Sequence, residues 1–236
     1  MSGSSYFDNY AADYDAVVNS ALRMSGETRE YFTAGRVEFL LRWLRSRGLG
    51  ERVQRIADLG CGDGGGTRAL ARRLPAAEVV GLDASETMLR EARRRGCPPG
   101  VRFASLEIDA AWPASEFDLV HAANVLHHVD PSERPNLLGR VSAALRPGGI
   151  LAVFENNPWN PGTRAVMARV PFDDRAWPLS ILRAAALARG AGLSPISQRS
   201  LFYFPRCLAW LRPLEDFLSR LPLGAQYVLL AERPVQ

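Results

Sequence analysis

Residues 56–67 read IADLGCGDGGGT, and this stretch decides the fold of the chain. A short apolar run leads into a glycine-rich loop, and residues 67–74 continue with the apolar spacing of a helix. Glycine lets a backbone adopt left-handed conformations and come close to a bound molecule. The stretch therefore predicts a strand, a ligand-binding turn and a helix in direct succession.

Short apolar runs and helical stretches alternate through the rest of the chain. The expected strands lie at 55–59, 78–82, 101–104, 117–122, 150–154, 197–203 and 227–231. The expected helices lie at 6–23, 27–47, 67–74, 85–95, 131–145 and 208–220. This alternation predicts an α/β fold with a parallel sheet, helices on both faces, and a ligand beyond the carboxyl ends of the strands.

Composition narrows the classes of partner. The chain has 236 residues and a net charge of +4, and every basic residue is an arginine. The basic run at 90–95 falls late in an expected helix, where cations are favoured, so we expect no nucleic-acid partner. No apolar run is long enough to cross a bilayer, and the N-terminus is polar and acidic, so we expect neither a membrane span nor a leader. Cys61, Cys97 and Cys207 are far apart, which predicts no disulfide, no metal site and a cytoplasmic location.

The charges beside the glycines indicate the kind of ligand. Gly60, Gly62 and Gly65 satisfy the GxGxxG spacing of dinucleotide-binding loops. However, Asp58 and Asp63 flank the turn, and a pyrophosphate at this helix N-terminus would be repelled by them. The loop therefore favours a ligand with an ammonium or sulfonium group over a dinucleotide.

Four ordered motifs resemble those of the class I S-adenosylmethionine-dependent methyltransferases. They are ADLGCGDG at 57–64, VVGLDAS at 79–85, the segment 117–128 and LRPGG at 145–149. The resemblance implies a Rossmann-like fold with a seven-stranded, mostly parallel sheet whose last strand is antiparallel. It also implies S-adenosylmethionine as the cofactor and no metal.

The chain is expected to form a single domain over residues 1–236. Its parts would be an N-terminal helical lid at 1–50, a cofactor-binding core at 51–155, a cap insertion at 156–193 and C-terminal strands at 194–236.

The resemblance implies a set of cofactor-binding residues. Asp58 would approach the methionine ammonium, and Asp83 would hold both ribose hydroxyls, since a carboxylate accepts two hydrogen bonds at once. An acid near residue 107 would meet the adenine, with Asp109 as the alternative. The complete expected set is Asp58, Gly60, Cys61, Gly62, Gly64, Asp83, Ala84, Met88, Glu107, Ile108, Ala123 and Asn124.

Segments later in the chain resemble a subgroup of small-molecule methyltransferases that serve natural-product or surface-sugar assembly. They are ENNPWNPGT at 155–163, PFD at 171–173 and PLGAQY at 222–227. Asn156 stands where this subgroup usually has histidine, which can take a proton from an acceptor whereas asparagine cannot. The acceptor is expected under the cap, near Trp159 and Trp177.

Further residues are interpreted from their chemistry. Tyr6 and Tyr14 belong to an aromatic N-terminal segment, YFDNYAADYD, that resembles a lid over the donor, so they join Asn156 as catalytic candidates. His127 and His128 are interpreted mainly as packing residues. The sequence NNPW at 156–159 is similar to a motif of DNA methyltransferases, but it lacks the second proline and follows the wrong strand.

Three functions fit these patterns. The leading hypothesis is a methyltransferase that acts on a small-molecule, natural-product acceptor in secondary metabolism. The alternative is an enzyme that cyclises the donor itself to azetidine-2-carboxylate and releases methylthioadenosine. The third hypothesis is a module that senses S-adenosylmethionine without catalysing a reaction. The sequence favours no particular oligomeric state.

Overall fold

The computed structural model of the protein describes residues 10, 13–75, 77–106 and 112–235. The strands in these residues are β1 Arg55–Leu59, β2 Glu78–Asp83, β3 Val101–Ser105, β4 Phe117–Ala123, β5 Leu145–Asn156, β6 Ser194–Leu201 and β7 Gln226–Glu232. They form one sheet in the order β3-β2-β1-β4-β5-β7-β6. Strands β1 to β5 pair in parallel, and β7 runs antiparallel between β5 and β6. The expected fold class is thus confirmed.

Helices cover the sheet on both faces. The α-helices in the described residues are α1 Tyr14–Leu22, α2 Arg29–Ser46, α3 Gly65–Arg73, α4 Glu86–Arg94, α5 Arg134–Ala144, α6 Pro161–Met167, α7 Ile181–Gly190 and α8 Glu215–Leu218. Short 3₁₀ segments lie at Arg23–Ser25, Leu126–His128, Pro171–Asp173 and Arg206–Leu214. Within this part of the chain, no helix is both long and apolar enough to cross a bilayer.

Two apolar layers hold the helices on the sheet. On one face, Leu40 and Leu44 of α2 pack with Leu70 of α3 against the strands. On the other face, Val141 of α5 and Ala188 of α7 contribute to the opposite core. These buried side chains recur at helical spacing, so each helix presents one apolar stripe to the sheet.

Two segments of the C-terminal half differ from simple expectation. Helix α7 lies in the region expected to cap the site, but it packs on β6 and β7 as part of the layer that covers the sheet. The single helix expected at 208–220 is instead a 3₁₀ segment followed by the short helix α8. Pro213 lies inside this segment and has no N–H to donate, so a regular α-helix is interrupted.

The topology places a ligand site at the end of β1. Strand β1 pairs with β2 on one side and with β4 on the other, so successive connections leave in opposite directions. A crevice opens at such a switch point, beyond the carboxyl ends of the strands. The glycine-rich loop, residues 60–66, lies there.

Candidate functional site

A cavity of about 470 Å³ opens above the carboxyl ends of the central strands. Its walls come from four parts of the chain: helices α1 and α2, the glycine-rich loop with the ends of β4 and β5, the segment 160–173, and residues 202–205 with 225–226. Small-molecule sites typically occupy a few hundred Å³, so the cavity has the size of a ligand site.

The glycine-rich loop forms the floor of one end of this cavity. Gly60 and Gly62 line it with φ angles of 65° and 54°, in the left-handed region that side chains other than glycine rarely adopt. A Cβ at Gly60 would lie only 2.5 Å from Cγ2 of Val125. Glycine at this position is therefore required both by the backbone conformation and by the neighbouring side chain.

Asp83 ends β2 directly behind the loop. Its carboxylate accepts hydrogen bonds from the N–H of Gly62 at 2.7 Å and from the N–H of Ser85 at 2.9 Å. Burial raises the pKa of Asp83 above its usual value, and these N–H groups oppose that effect. Asp83 itself does not line the cavity but fixes the loop that does.

Asp58 lies in the wall of the cavity and is 3% exposed. Its carboxylate accepts a hydrogen bond from the hydroxyl of Thr67 at 2.6 Å, and its second oxygen lies 2.7 Å from Nδ1 of His121. Both oxygens therefore have protein partners. The other ring nitrogen of His121 is buried without a hydrogen-bond partner among the described residues.

Asp63 has different partners from Asp58. Arg29 donates to both of its oxygens, at 3.0 and 2.6 Å, and Arg95 donates at 2.6 Å. Burial opposes its charge, but Arg29 and Arg95 lower the pKa of Asp63 below its ordinary value. From the sequence alone, Asp63 is expected to present negative charge to a cationic ligand. The structure instead shows it neutralised by two arginines of the protein.

Aromatic side chains close the cavity from above. The ring of Tyr14 stacks on that of Phe172 with centroids 5.1 Å apart and planes 16° apart. The guanidinium of Arg29 lies 5.2 Å from the centre of the Tyr14 ring. Burial raises the pKa of Tyr14 to about 12, so its hydroxyl stays protonated at neutral pH. These contacts connect α1 with the cap insertion across the cavity.

The other end of the cavity is polar and carries an arginine. The side-chain N–H₂ of Gln226 donates to Oδ1 of Asn156 at 3.1 Å, and Arg36 donates to Oε1 of Gln226 at 3.1 Å. A second N–H group of Arg36 donates to Thr33 at 3.1 Å. We call these four residues the amide array. It lies where β5 ends and β7 begins.

Two adjacent histidines occupy the wall between the two ends. His127 binds Glu155 through Nδ1, and its Nε2 lies 3.8 Å from Asp173. Burial favours the neutral form of His127, but the carboxylates of Glu155 and Asp173 raise its pKa to about 10. Burial and the charge on His127 lower the pKa of His128 to about 2, and its Nε2 lies 3.4 Å from Asp173. The pair is thus one charged and one neutral imidazole.

The cavity brings together many of the residues expected from sequence. Those that line it are Tyr14, Asp58, Gly60, Cys61, Gly62, Ala123, Asn124 and Asn156. Cys61 is buried, and burial, followed by the charge of Asp58, raises the pKa of its thiol, which agrees with a packing role.

Other expected residues lie elsewhere. Gly64, Ala84 and Met88 do not line the cavity. Tyr6, Glu107 and Ile108, together with Asp109, lie outside the described residues. Trp159 and Trp177 are 49% and 44% exposed and also do not line the cavity, so the structure does not bring these two expected residues to it.

Sequence reasoning missed Arg29, Arg36, His121 and Asp173, which all line the cavity. Arg36 left a signal: it precedes Val37 and shares its stripe with Leu40, so it is a charged residue on an apolar helix face. A cation at such a position needs polar partners inside the protein. The other residues gave no comparable signal, because their partners come from distant segments.

The unpaired atoms of the cavity fit the expected S-adenosylmethionine. Oδ1 of Asn124 is buried and has no partner among the described residues. Asn124 follows β4 with a φ of 58°, a left-handed conformation uncommon outside glycine and often found at functional sites. An acceptor oxygen in a cavity that also contains Asp58 suits the ammonium of the cofactor. The residues present therefore fit this group.

Comparison with known proteins supports the same assignment. Residues 56–149 match the family described as a methyltransferase domain. The chain is 36% identical over 199 residues to the trans-aconitate 2-methyltransferase of Variovorax paradoxus, and the match covers 75% of both proteins. Other trans-aconitate 2-methyltransferases match this chain over about half of their own length or less.

Solved structures agree with the fold. An S-adenosylmethionine-dependent methyltransferase from Mesorhizobium loti superposes with a TM-score of 0.57 at 25% identity, covering 76% of this chain and 90% of that one. A methyltransferase from Thermotoga maritima superposes with a TM-score of 0.67 at 18% identity, over 98% and 100% of the two chains, and shows a shared fold. The chain therefore belongs to the class I S-adenosylmethionine-dependent methyltransferases, and S-adenosylmethionine is its cofactor.

Proposed function

We propose that this enzyme methylates an oxygen atom of a small acidic acceptor held in the cavity. The observation that carries the proposal is the extent of the cavity, which continues from the glycine-rich loop past Asn156 and Gln226 to residues 202–205. The cofactor motifs account for the end at the loop. The amide array at the other end leaves polar, enclosed space for a second molecule.

The chemistry at Asn156 supports an acidic acceptor. Its carboxamide cannot take a proton from an acceptor hydroxyl, and its Oδ1 is occupied by Gln226. A carboxylic acid, with a pKa of about 4, is already ionised at neutral pH and needs no base. The relative from Variovorax paradoxus acts, by its name, on trans-aconitate, which is such an acid. The segments at 155–163 and 222–227, which resemble those of a natural-product subgroup, support an acceptor from natural-product assembly.

The residues of the site have separate tasks in this reaction. The bound cofactor supplies a methyl group on a positively charged sulfur, which makes that carbon electrophilic. Gly60 and Gly62 allow the backbone to approach the cofactor closely, and Asp83 holds the loop in that position. The stacked rings of Tyr14 and Phe172 exclude water from above. Holding both reactants in the correct orientation is the main contribution that a protein makes to a displacement of this kind.

Cyclisation of the cofactor to azetidine-2-carboxylate is the second candidate. The specific observation in its favour is the buried pair of Asp58 and His121 beside the loop, since Nε2 of His121 has no partner among the described residues. Nε2 of His121 would be the acceptor for the proton that the cofactor's amino group loses on ring closure. This reaction needs no acceptor, which makes the two candidates separable.

The test begins with the purified protein and S-adenosylmethionine alone, followed by mass spectrometry. We expect no methylthioadenosine in this sample, and S-adenosylhomocysteine with a methylated product once a panel of di- and tricarboxylic acids is added. Methylthioadenosine formed without an acceptor would overturn the methyltransferase proposal in favour of cyclisation. Turnover with amines or neutral alcohols, but with none of the acids, would keep the methyltransferase and overturn the acidic acceptor.

A further inference from the structure

Arg36 is a buried cation that has no acidic partner within the described part of the chain. Its side chain is in the cavity wall, and the residue is 7% exposed. The groups that hydrogen-bond to its guanidinium, Gln226 and Thr33, are both neutral. The ion pairs in the described residues do not include it.

The surroundings make this charge costly in the empty cavity. Burial, followed by the positive charge of Arg29, lowers the pKa of Arg36 to about 10, and the carboxylates of Asp58 and Glu155 oppose this only from a longer distance. A buried charge is normally paired, because removal from water costs several kcal/mol unless a counter-ion compensates. Arg29 has such counter-ions in Asp15 and Asp63. Arg36 has none among the described residues, which suits a counter-ion delivered with a ligand.

The amide array fixes the guanidinium and leaves part of it available. A guanidinium has five N–H donors, and two of them, one on each terminal nitrogen, are used by Gln226 and Thr33. Gln226 is itself held by Asn156. A guanidinium fork held in one orientation matches the two oxygens of a carboxylate.

We propose that Arg36, positioned by Gln226 and Thr33, binds a carboxylate of the acceptor and selects acceptors with at least two carboxylates. This inference rests on the proposed function. One carboxylate pairs with Arg36, and a second one reacts: its oxygen forms a bond to the methyl carbon while the carbon–sulfur bond breaks and its electron pair stays on sulfur. No proton moves, which agrees with asparagine at position 156.

The location favours the acceptor over the cofactor's own carboxylate. Within the amide array, Asn156 ends β5 and Gln226 begins β7, whereas the glycine-rich loop follows β1 on the far side of β4. Arg36 reaches these strand ends from α2 through its hydrogen bond to Gln226. The arginine close to that loop is Arg29, and both of its terminal nitrogens bind Asp63. Arg36 is therefore the cation placed to meet a second molecule.

The test uses the full chain saturated with S-adenosylhomocysteine and titrated with succinate, citrate and trans-aconitate by calorimetry. We expect at least one of these acids to bind, and Arg36→Gln to weaken its binding by about 10-fold to 100-fold. The methyl ester of that acid should bind the wild-type protein no more tightly than the free acid binds the variant. Arg42→Gln, on the exposed side of the same helix, is the control and should leave binding unchanged. The Kd for S-adenosylhomocysteine should change less than about twofold in both variants.

A second variant avoids the loss of the buried arginine. Gln226→Glu supplies an internal carboxylate to Arg36, so it should raise the Tm of the free protein and weaken binding of the acids as strongly as Arg36→Gln does. Three results would overturn the proposal: none of the acids binds the wild-type protein, the acids bind both variants as tightly as the wild type, or the Kd for S-adenosylhomocysteine rises as much as that for the acid. The last result would assign Arg36 to the cofactor's carboxylate. If the Arg36→Gln enzyme still methylated an acid at an unchanged KM, the proposed function would stand without this inference.

Discussion

The two carboxylates of the loop region carry the same charge but have different electrostatic environments. Asp63 is neutralised by Arg29 and Arg95, and the same two arginines pair with Asp15 of α1, so this network connects α1, α2 and the end of α4. Asp58 contacts a hydroxyl and an imidazole, and so retains negative potential toward the cavity. A cationic ligand group is therefore favoured beside Asp58 and not beside Asp63. Both acids lie beside the turn in the sequence, but Arg29 and His121, which set their different environments, come from distant parts of the chain.

Asp83→Asn should weaken binding of S-adenosylmethionine by about 10-fold to 100-fold, because an amide has only one acceptor oxygen and cannot hold the N–H groups of both Gly62 and Ser85, so the glycine-rich loop loses its support. Isothermal calorimetry would measure the Kd. Asp118→Asn is a matched control, because Asp118 also accepts from two backbone N–H groups, those of Gln54 and Arg55, but at the opposite end of the sheet. It should affect stability without changing the Kd. Equal Kd values for all three proteins would show that cofactor binding does not depend on the hold of Asp83 on the glycine-rich loop.

The histidine pair predicts a bell-shaped dependence of stability on pH. The pKa of His127 is raised from 6.5 to about 10, so its contribution to the free energy of unfolding is complete below pH 6.5 and is lost as the pH rises toward 10. The pKa of His128 is lowered from 6.5 to about 2, so stability falls as the pH drops below 6.5, where only the unfolded chain binds the proton. Urea unfolding at pH values from about 4 to about 9 would measure both limbs of this stability profile.

Variants separate the two limbs. His128→Asn should flatten the acidic limb, because it removes the imidazole that resists protonation. Glu155→Gln should flatten the alkaline limb, because it removes the carboxylate that raises the pKa of His127. A profile in which either variant flattened the opposite limb would show that the charge states of the two histidines are reversed.

At the scale of elements, the contact between the glycine-rich loop and the segment after β4 sets the shape of the cofactor site. Gly60→Ala should lower the free energy of unfolding by about 1–3 kcal/mol, since it combines a strained φ with a clash against Val125. Adding Val125→Ala to this variant should restore only the part of the free energy of unfolding that is lost to the clash. Gly139→Ala is the control: its Cβ meets open space within α5, so it should stabilise by about 0.5–1 kcal/mol. Chemical denaturation would measure the wild type and these three variants, and full recovery in the double variant would show that backbone strain contributes nothing.

Elements with strong local signals could be predicted from the sequence. Helix α2 begins after its N-cap Thr28 and lies within the expected range, and β7 was expected at 227–231 and is found at Gln226–Glu232. Strand β5 is longer than expected because its pairing with β7 continues to Asn156. Helix α7 carries an apolar stripe that fits either a cap or the sheet, and only the position of β6 and β7 decides between them. The local sequence pattern determines whether a segment forms a helix or a strand, whereas the surface that it packs against is determined by the rest of the fold.

At the scale of the whole molecule, the site is assembled from segments far apart in the chain. The cofactor end comes from the strand ends and loops of the parallel half of the sheet, whose motifs follow one another along residues 57–149, which is why they could be recognised in order. The end of the cavity that we propose for the acceptor joins Arg36 of α2, Asn156 of β5 and Gln226 of β7, and no local pattern connects these positions. Sequence therefore predicts the shared cofactor chemistry better than the acceptor. The acceptor end depends on side-chain contacts between elements.

Because the cavity wall includes α1, α2, the loop, the cap and the C-terminal segment, ligand binding should stabilise the folded chain as a unit. S-adenosylhomocysteine at about 100 times its Kd should add roughly 2.7 kcal/mol to the free energy of unfolding, which corresponds to a rise in Tm of roughly 5–10 °C for a chain of this size. Differential scanning calorimetry would measure it, with NAD as the control, since the loop also satisfies the dinucleotide spacing. NAD should leave Tm unchanged, because a pyrophosphate would meet the negative potential of Asp58 without an ammonium to offset it. A comparable shift with NAD would mean that the loop accepts phosphate, and the electrostatic reading of Asp58 would have to be abandoned.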